Sequence, residues 1–261
     1  MTDVLHVLRY RDLVRALVSR DLKVRYRRST LGFVWTMLQP LLMMLVLRMV
    51  FSKLFQSGSA EVTRSYPVYA LAGILFWNFF SQSIVASMNS LRGNAQLLQK
   101  LPVPKAVFPL ATVLSGVINL LFALIPLFLI LLVSRHPITP ALFFLPVSIT
   151  LAAIFTLGAG LLLSPLAVFF TDTVELIGVL LTLLFYLTPV IYPKDIVPAH
   201  LRWIVRFNPI RSILEVFRDP IFYGKVPPLS HLAVCISIAA IAFAFGAWVF
   251  RRSSDRIPFY V

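Results

Sequence analysis

Apolar residues run almost without interruption through six stretches of the chain, at about 33–55, 68–88, 107–133, 142–169, 174–192 and 230–250. A bilayer core takes roughly 20 consecutive apolar residues as a helix, and each stretch meets or approaches that length. Two further segments alternate instead of running. In residues 9–27, Tyr10, Leu13, Val14, Leu17, Val18, Leu22 and Tyr26 recur at helical spacing, while Arg9, Arg11, Arg15, Arg20, Lys23 and Arg27 lie largely off that stripe. Such a pattern predicts an amphipathic helix in the plane of a membrane. In residues 196–223, Leu201, Ile204, Val205, Ile210, Ile213, Leu214, Phe217 and Ile221 are interleaved with arginines, and Asn208-Pro209 breaks the run. This predicts two short helices, either a re-entrant hairpin or a loop resting on headgroups. The expected fold is an all-α membrane protein: six transmembrane helices, an N-terminal amphipathic helix, and an outer helical hairpin between spans five and six. The expected domains are residues 1–32, the amphipathic helix and its elbow, and residues 33–261, the membrane domain.

Composition agrees with this pattern. The chain is 59% hydrophobic and only 13% charged, whereas soluble domains average about a quarter charged. No small-residue cleavage site follows the first apolar run, so a cleaved signal peptide is not expected. The single cysteine, Cys235, falls in the last span and has no intramolecular partner.

Charge then orients the spans. Residues 1–32 hold eight cations, residues 89–106 hold Arg92, Lys100 and Lys105, and the tail after Phe250 holds Arg251, Arg252 and Arg256. With six spans, these three regions share one side. The opposite loops 56–67 and 134–141 hold only Arg64 and Arg135. Lysine and arginine near span ends stay cytoplasmic, so both termini are expected inside, in a multi-pass inner (plasma) membrane protein. Residues 193–229 argue against the count, because this expected outer loop carries six cations: Lys194, Arg202, Arg206, Arg211, Arg218 and Lys225. The excess of +14 borders the spans, which points to anionic lipid and not to nucleic acid.

A topology signal and a lipid anchor account for most of the N-terminal charge. The surplus is Arg25, Arg27 and Arg28, followed by Ser29 and Thr30 at the elbow into span one. Guanidinium forks and hydroxyls are suited to phosphate oxygens, so these five are candidate contacts for the diphosphate headgroup of a lipid-linked substrate. Within the spans, ionisable residues are nearly missing; Arg48 is the exception, close enough to a span end to snorkel. Ion-driven transporters place carboxylates or histidines there. No nucleophile–base or paired-carboxylate arrangement is visible, which argues against an enzyme. No G-x-x-x-x-G-K-[ST] run occurs; at Gly224-Lys225-Val226, Asp219 stands where the first glycine belongs. The chain is therefore expected to hold no cofactor and to take its energy from elsewhere.

The run Arg25-Tyr26-Arg27-Arg28-Ser29-Thr30-Leu31-Gly32-Phe33-Val34-Trp35, then Leu38-Gln39-Pro40-Leu41, resembles the ABC-2 family of transporter permeases. So does Leu187-Thr188-Pro189-Val190-Ile191-Tyr192-Pro193 followed by Phe207-Asn208-Pro209. The likeness is to the branch that exports polysaccharide, O-antigen or teichoic acid. It implies a half-size membrane subunit that forms a homodimer and binds a separate ATP-binding-cassette subunit, which holds ATP and magnesium. It implies that the arm is an interface helix and that Ser90–Leu101 is a coupling helix, with Asn94, Gln96, Leu97, Leu98 and Lys100 meeting the ATPase. It implies a channel along the dimer interface faced by spans one and five, lined by the aromatics Trp35, Phe185, Tyr186 and Tyr192, for a lipid-linked glycan entering from the cytoplasmic side. Thr171 before Asp172 departs from the family, where many members have arginine. An ABC-2 exporter of drugs or small lipids, or a multi-span enzyme acting on a lipid-linked substrate, remain alternatives.

Overall fold

The computed structural model describes residues 10–26, 34–51, 66–100, 103–134, 136–194, 197–198, 200, 202–257 and 260. Among them there is no strand. Ten α-helices follow in chain order: α1 (Arg11–Tyr26), α2 (Val34–Phe51), α3 (Tyr66–Ser90), α4 (Ala95–Lys100), α5 (Val107–Val133), α6 (Leu145–Phe169), α7 (Thr173–Leu187), α8 (Arg202–Phe207), α9 (Pro209–Arg218) and α10 (Leu229–Ser254). Among the described residues four helical segments are long and apolar enough to cross a membrane: α3, α5, α6 with its 3₁₀ entry from Pro140, and α10. α2, with 18 residues, and α7, with 15, are shorter.

The centre of the molecule is α3. Val68, Ala70, Leu71, Ala72 and Phe76 have essentially no exposed surface, and α5, α6, α2 and α9 all pack on this helix. α10 stands at the periphery and packs along α6. There the two backbones touch: a Cβ at Gly158 would lie 2.5 Å from the Ala242 carbonyl carbon and the Phe243 nitrogen. The small residues of the last span thus meet a neighbour within the same chain, the arrangement that close helix crossings in a membrane favour.

The N-terminal helix forms where its stripe predicts, but protein covers the centre of that stripe. Val14 and Leu17 are buried in a cluster with Leu91, Val107, Phe108, Ala111, Phe250 and Ile257. The first turn of α5 is itself apolar, so it offers the stripe a drier and better-packed surface than headgroups do. That cluster also gathers α1, the segment after α3 and the end of α10 onto one face of the molecule.

The fifth apolar run is interrupted. α7 stops at Leu187, although apolar residues continue to Tyr192. Thr188 is extended, with ψ 134°, because the following Pro189 crowds the helical conformation of the residue before it. In the hairpin region, Asn208 begins α9 by accepting from the Ile210 N–H at 3.0 Å, with Pro209 in the first helical position. α9 runs into a π-helical turn, Asp219–Tyr223, closed by Gly224 at φ 59°. A left-handed residue there is best met by glycine, and a Cβ would press on Thr139.

Candidate functional site

A groove of about 710 Å³ opens between α2, α3 and α7. One face of α3 lines it through Ile74, Trp77, Asn78, Ser81, Gln82 and Val85, residues spaced three and four apart and therefore stacked along one helix side. Across from them stand Leu181, Thr182, Phe185 and Tyr186 of α7. Trp77 and Phe185 meet edge to face at 5.5 Å, and Phe185 meets Tyr186 in the same way at 5.3 Å. Tyr186 is 65% exposed. Aromatic faces set beside carboxamides and hydroxyls can stack on the C–H faces of a sugar while hydrogen-bonding its hydroxyls. Of the aromatics named from the sequence, Phe185 and Tyr186 share this groove. Trp35, half-exposed on the first turn of α2, and Tyr192 are not part of its lining. The amide row Asn78–Gln82 was not singled out from the sequence, although two carboxamides four residues apart in an apolar span are a visible signal.

At one end of the groove, the two parts of the second resemblance motif, Leu187–Pro193 and Phe207–Pro209, meet each other. The carbonyls of residues 189–192 have no helical partners and take side-chain donors, while the Val190 N–H turns back to the Thr188 carbonyl at 2.6 Å. Arg218, 2% exposed, donates from Nη1 to the Pro189 carbonyl at 2.9 Å and from Nη2 to the Val190 carbonyl at 2.6 Å. Its guanidinium lies 3.9 Å over the ring of Tyr69. The Tyr69 hydroxyl donates to the Tyr192 carbonyl at 3.1 Å, and the Tyr66 hydroxyl to that of Ile191 at 3.0 Å. Asn208 Nδ2 donates to Thr188 Oγ1 at 2.8 Å. Gly73 leaves the space into which Arg218 and Val190 fit. Arg218 makes no ion pair among the described residues; backbone dipoles and a π-face stabilise its charge instead. Beyond it, Arg211 pairs with Glu215 at 2.9 Å, and Arg202 donates to the Val197 carbonyl. Three of the six cations that spoiled the charge count are thus internal ties.

The segment expected to meet an ATPase lies on the face that gathers α1 and the end of α10. Here the structure divides the candidates. Gln96 and Lys100 are exposed and Leu97 is half-exposed. Leu98, 7% exposed, belongs to the apolar cluster beneath α1. Asn94, 8% exposed, donates to the Ser90 carbonyl at 2.7 Å and accepts from Arg20 of α1 at 2.6 Å. Asn94 and Leu98 therefore hold the segment to the body, while Gln96 and Lys100 face outward. The other cations here cap helices: Arg92 donates to the Val168 carbonyl at the end of α6, and Lys105 to the Ser254 carbonyl at the end of α10. Arg27, Arg28, Ser29 and Thr30 lie outside the described residues, and of Arg25 only the backbone is described.

Comparison with known proteins matches residues 12–222 to the ABC-2 type transporters. The chain is 29% identical over 248 residues to an O-antigen export system permease protein, RfbA, of Klebsiella pneumoniae, covering 94% of this chain and 93% of the relative. It is also 29% identical over 256 residues to RfbA of Myxococcus xanthus, covering 97% and 96%. Identity to the polysialic acid transport protein KpsM of Escherichia coli is 23% over 250 residues, covering 93% of each.

Proposed function

The chain belongs to the ABC-2 type transporter family, and from that premise we propose that it is the membrane-spanning permease subunit of an ATP-binding-cassette exporter. Its cargo is a lipid-linked, O-antigen-like polysaccharide moved from the cytoplasmic side across the inner membrane. The observation that carries this reading is the end-to-end likeness to two O-antigen export permeases. The groove is chemically suited to such a cargo: it joins Trp77, Phe185 and Tyr186 to Asn78 and Gln82 inside an otherwise apolar bundle.

In this reading α2, α3, α5, α6, α7 and α10 are the six spans, with α7 completed by the non-helical segment 188–192. The cation-rich face that gathers α1, the segment after α3 and the end of α10 is cytoplasmic. The pair α8–α9 is a re-entrant hairpin on the outer side. Two copies of the chain enclose the channel, with the grooves of α2 and α7 turned toward each other. A separate ATPase subunit holds ATP and magnesium and docks on Gln96 and Lys100, and its closure reaches the membrane helices through Asn94, Leu98 and Arg20. The substrate's diphosphate is met by Arg25, Arg27, Arg28, Ser29 and Thr30 at the elbow. This chain breaks no bond.

The test is reconstitution of the chain with its companion ATPase in vesicles. Uptake of lipid-linked glycan that depends on ATP and is lost on Gln96→Glu combined with Lys100→Glu, with the chain still inserted, is the expected result. Transport of small lipids but not of glycan would replace this cargo with another, and turnover of a lipid-linked substrate by the isolated chain would replace export with catalysis.

A further inference from the structure

α7 is held in an unequal way. Along its length only Leu181 is buried; Leu176, Val179 and Leu183 are more than half exposed, and a Cβ at Gly178 would touch nothing. Its far end is the opposite case. Over the segment Thr188–Tyr192, Arg218, Tyr66, Tyr69 and Asn208 tie four backbone carbonyls and one hydroxyl to α3 and α9. At the junction Thr188 is extended, so helical hydrogen bonding stops where the ties begin.

A rod with few contacts along its shaft, clamped at one end beyond a break in its backbone ladder, bends at that break. We infer that Arg218 is a positioning residue for transport. It fixes the outer end of α7 as a pivot, about which the rest of α7 swings to widen the groove. Arg218 is the centre of the clamp because one guanidinium reaches two successive carbonyls and at the same time lies on Tyr69, whose hydroxyl holds the carbonyl of Tyr192. A lysine has neither the fork nor the plane to do this. The inference rests on the proposed export function and adds to it which part of the groove wall moves.

The experiment uses the whole transporter with its ATPase subunit, in a Cys235→Ser background, with spin-labelled chain diluted in unlabelled chain so that pairs within one chain are read. One pair, Leu187 with Phe143, reports the clamped end; the other, Leu176 with Trp248, reports the free end. All four positions are exposed. On ATP binding, the Leu176–Trp248 distance is expected to shift while the Leu187–Phe143 distance stays narrow and unchanged. Arg218→Met should broaden the clamped-end distribution and lower glycan exported per ATP hydrolysed by about tenfold with ATPase activity retained, and Arg218→Lys should recover only part of that loss. Should Arg218→Met fail to assemble, Tyr69→Phe removes one tie, keeps the ring, and should give a smaller broadening. A clamped-end distance that shifts as far as the free end in the unmodified transporter, or stays narrow in the variant that assembles, overturns the pivot. Absence of glycan export by the unmodified transporter would sink the function instead, and the two distances would still judge the pivot.

Discussion

Replacing Gly73 by alanine is the smallest change that tests the clamp at the end of α7. In most helix interiors this substitution stabilises by about 1 kcal/mol, because glycine is the poorer helix former. Here the added methyl would overlap Nη2 of Arg218 and the carbonyl oxygen of Val190, with the Val190 carbonyl carbon at 3.1 Å. Every residue of α3 from Val68 to Trp77 is buried, so the backbone at Gly73 has little room to retreat, and either the guanidinium or the 188–192 segment must move. Losing a hydrogen bond to a charged group costs about 1.5–3 kcal/mol, and overpacking a dense core adds about 1–3 kcal/mol. Set against the propensity gain, the net loss is about 2–5 kcal/mol. At about 2–4 °C per kcal/mol for a domain of this size, the melting temperature should fall on the order of 10 °C. The assay is the thermal loss of monodisperse protein in detergent, followed by fluorescence-detected size exclusion. Gly178→Ala is the internal control: its Cβ meets nothing within 4 Å, so it should be neutral or slightly stabilising. If Gly73→Ala melts with or above the unmodified chain, as Gly178→Ala should, the close approach of Arg218 and Val190 to α3 is not what orders this end of α7.

Gly158→Ala should lower the melting temperature by a comparable amount, because the new Cβ faces the backbone of Ala242 and Phe243 and no flexible side chain can yield; an unchanged melt would mean that α6 and α10 do not cross this closely. Arg20→Ala should loosen α1 from the segment after α3 by leaving buried Asn94 without its 2.6 Å partner; faster proteolysis between residues 91 and 100, at a stability cost of about 1–2 kcal/mol, is the readout. Asn78→Leu with Gln82→Leu should cut glycan export while leaving ATPase binding intact, and unimpaired export would remove the α3 face from the path. Burial first, and the neighbouring Glu215 second, raise the carboxyl of Asp219 from 3.8 to about 6. The folded chain then holds this proton more tightly than the unfolded chain, so its contribution to stability falls as pH rises from about 4 to about 6 and is level above that. Asp219→Asn should flatten that slope in melts taken across the window.

How much of this was written in the residues depends on the range over which each feature is decided. α5 spans Val107–Val133, where the apolar run lies, because hydropathy and helical backbone begin and end together there. At α7 they part company. Val190, Ile191 and Tyr192 keep the hydropathy high, but Pro189 has already extended Thr188, and the donors that replace the helical ladder come from residues such as Tyr66, 125 positions away. A run of Thr-Pro inside an apolar stretch signals the break; nothing local names the side chains that repair it. Arg218 was visible only as a cation on the wrong side, since a charge count cannot tell a solvated arginine from one folded onto carbonyls. Asn94 and Leu98 were read as surface residues of a short helix, whereas α1, a remote segment, covers them.

The same long-range view changes what the cation count means. α6 ends at Phe169 and α10 at Ser254, and each leaves carbonyls with no helical donor and a partial negative charge. Arg92 and Lys105, counted from the sequence as orientation signals, reach those two helix ends. Arg20, from the arm, reaches Asn94 between them. Two demands therefore coincide on this face: a bilayer rule that gathers cations on one side, and helix ends on that side that need donors. The result is a single basic plate joining α1, the segment after α3 and the ends of α6 and α10. In the proposed coupling, a push on Gln96 and Lys100 would reach α1 and the ends of α6 and α10 through these bonds, and would not stop at the short helix that receives it. That is the mechanical property the proposed docking of an ATPase subunit requires, and it follows from where the helices end.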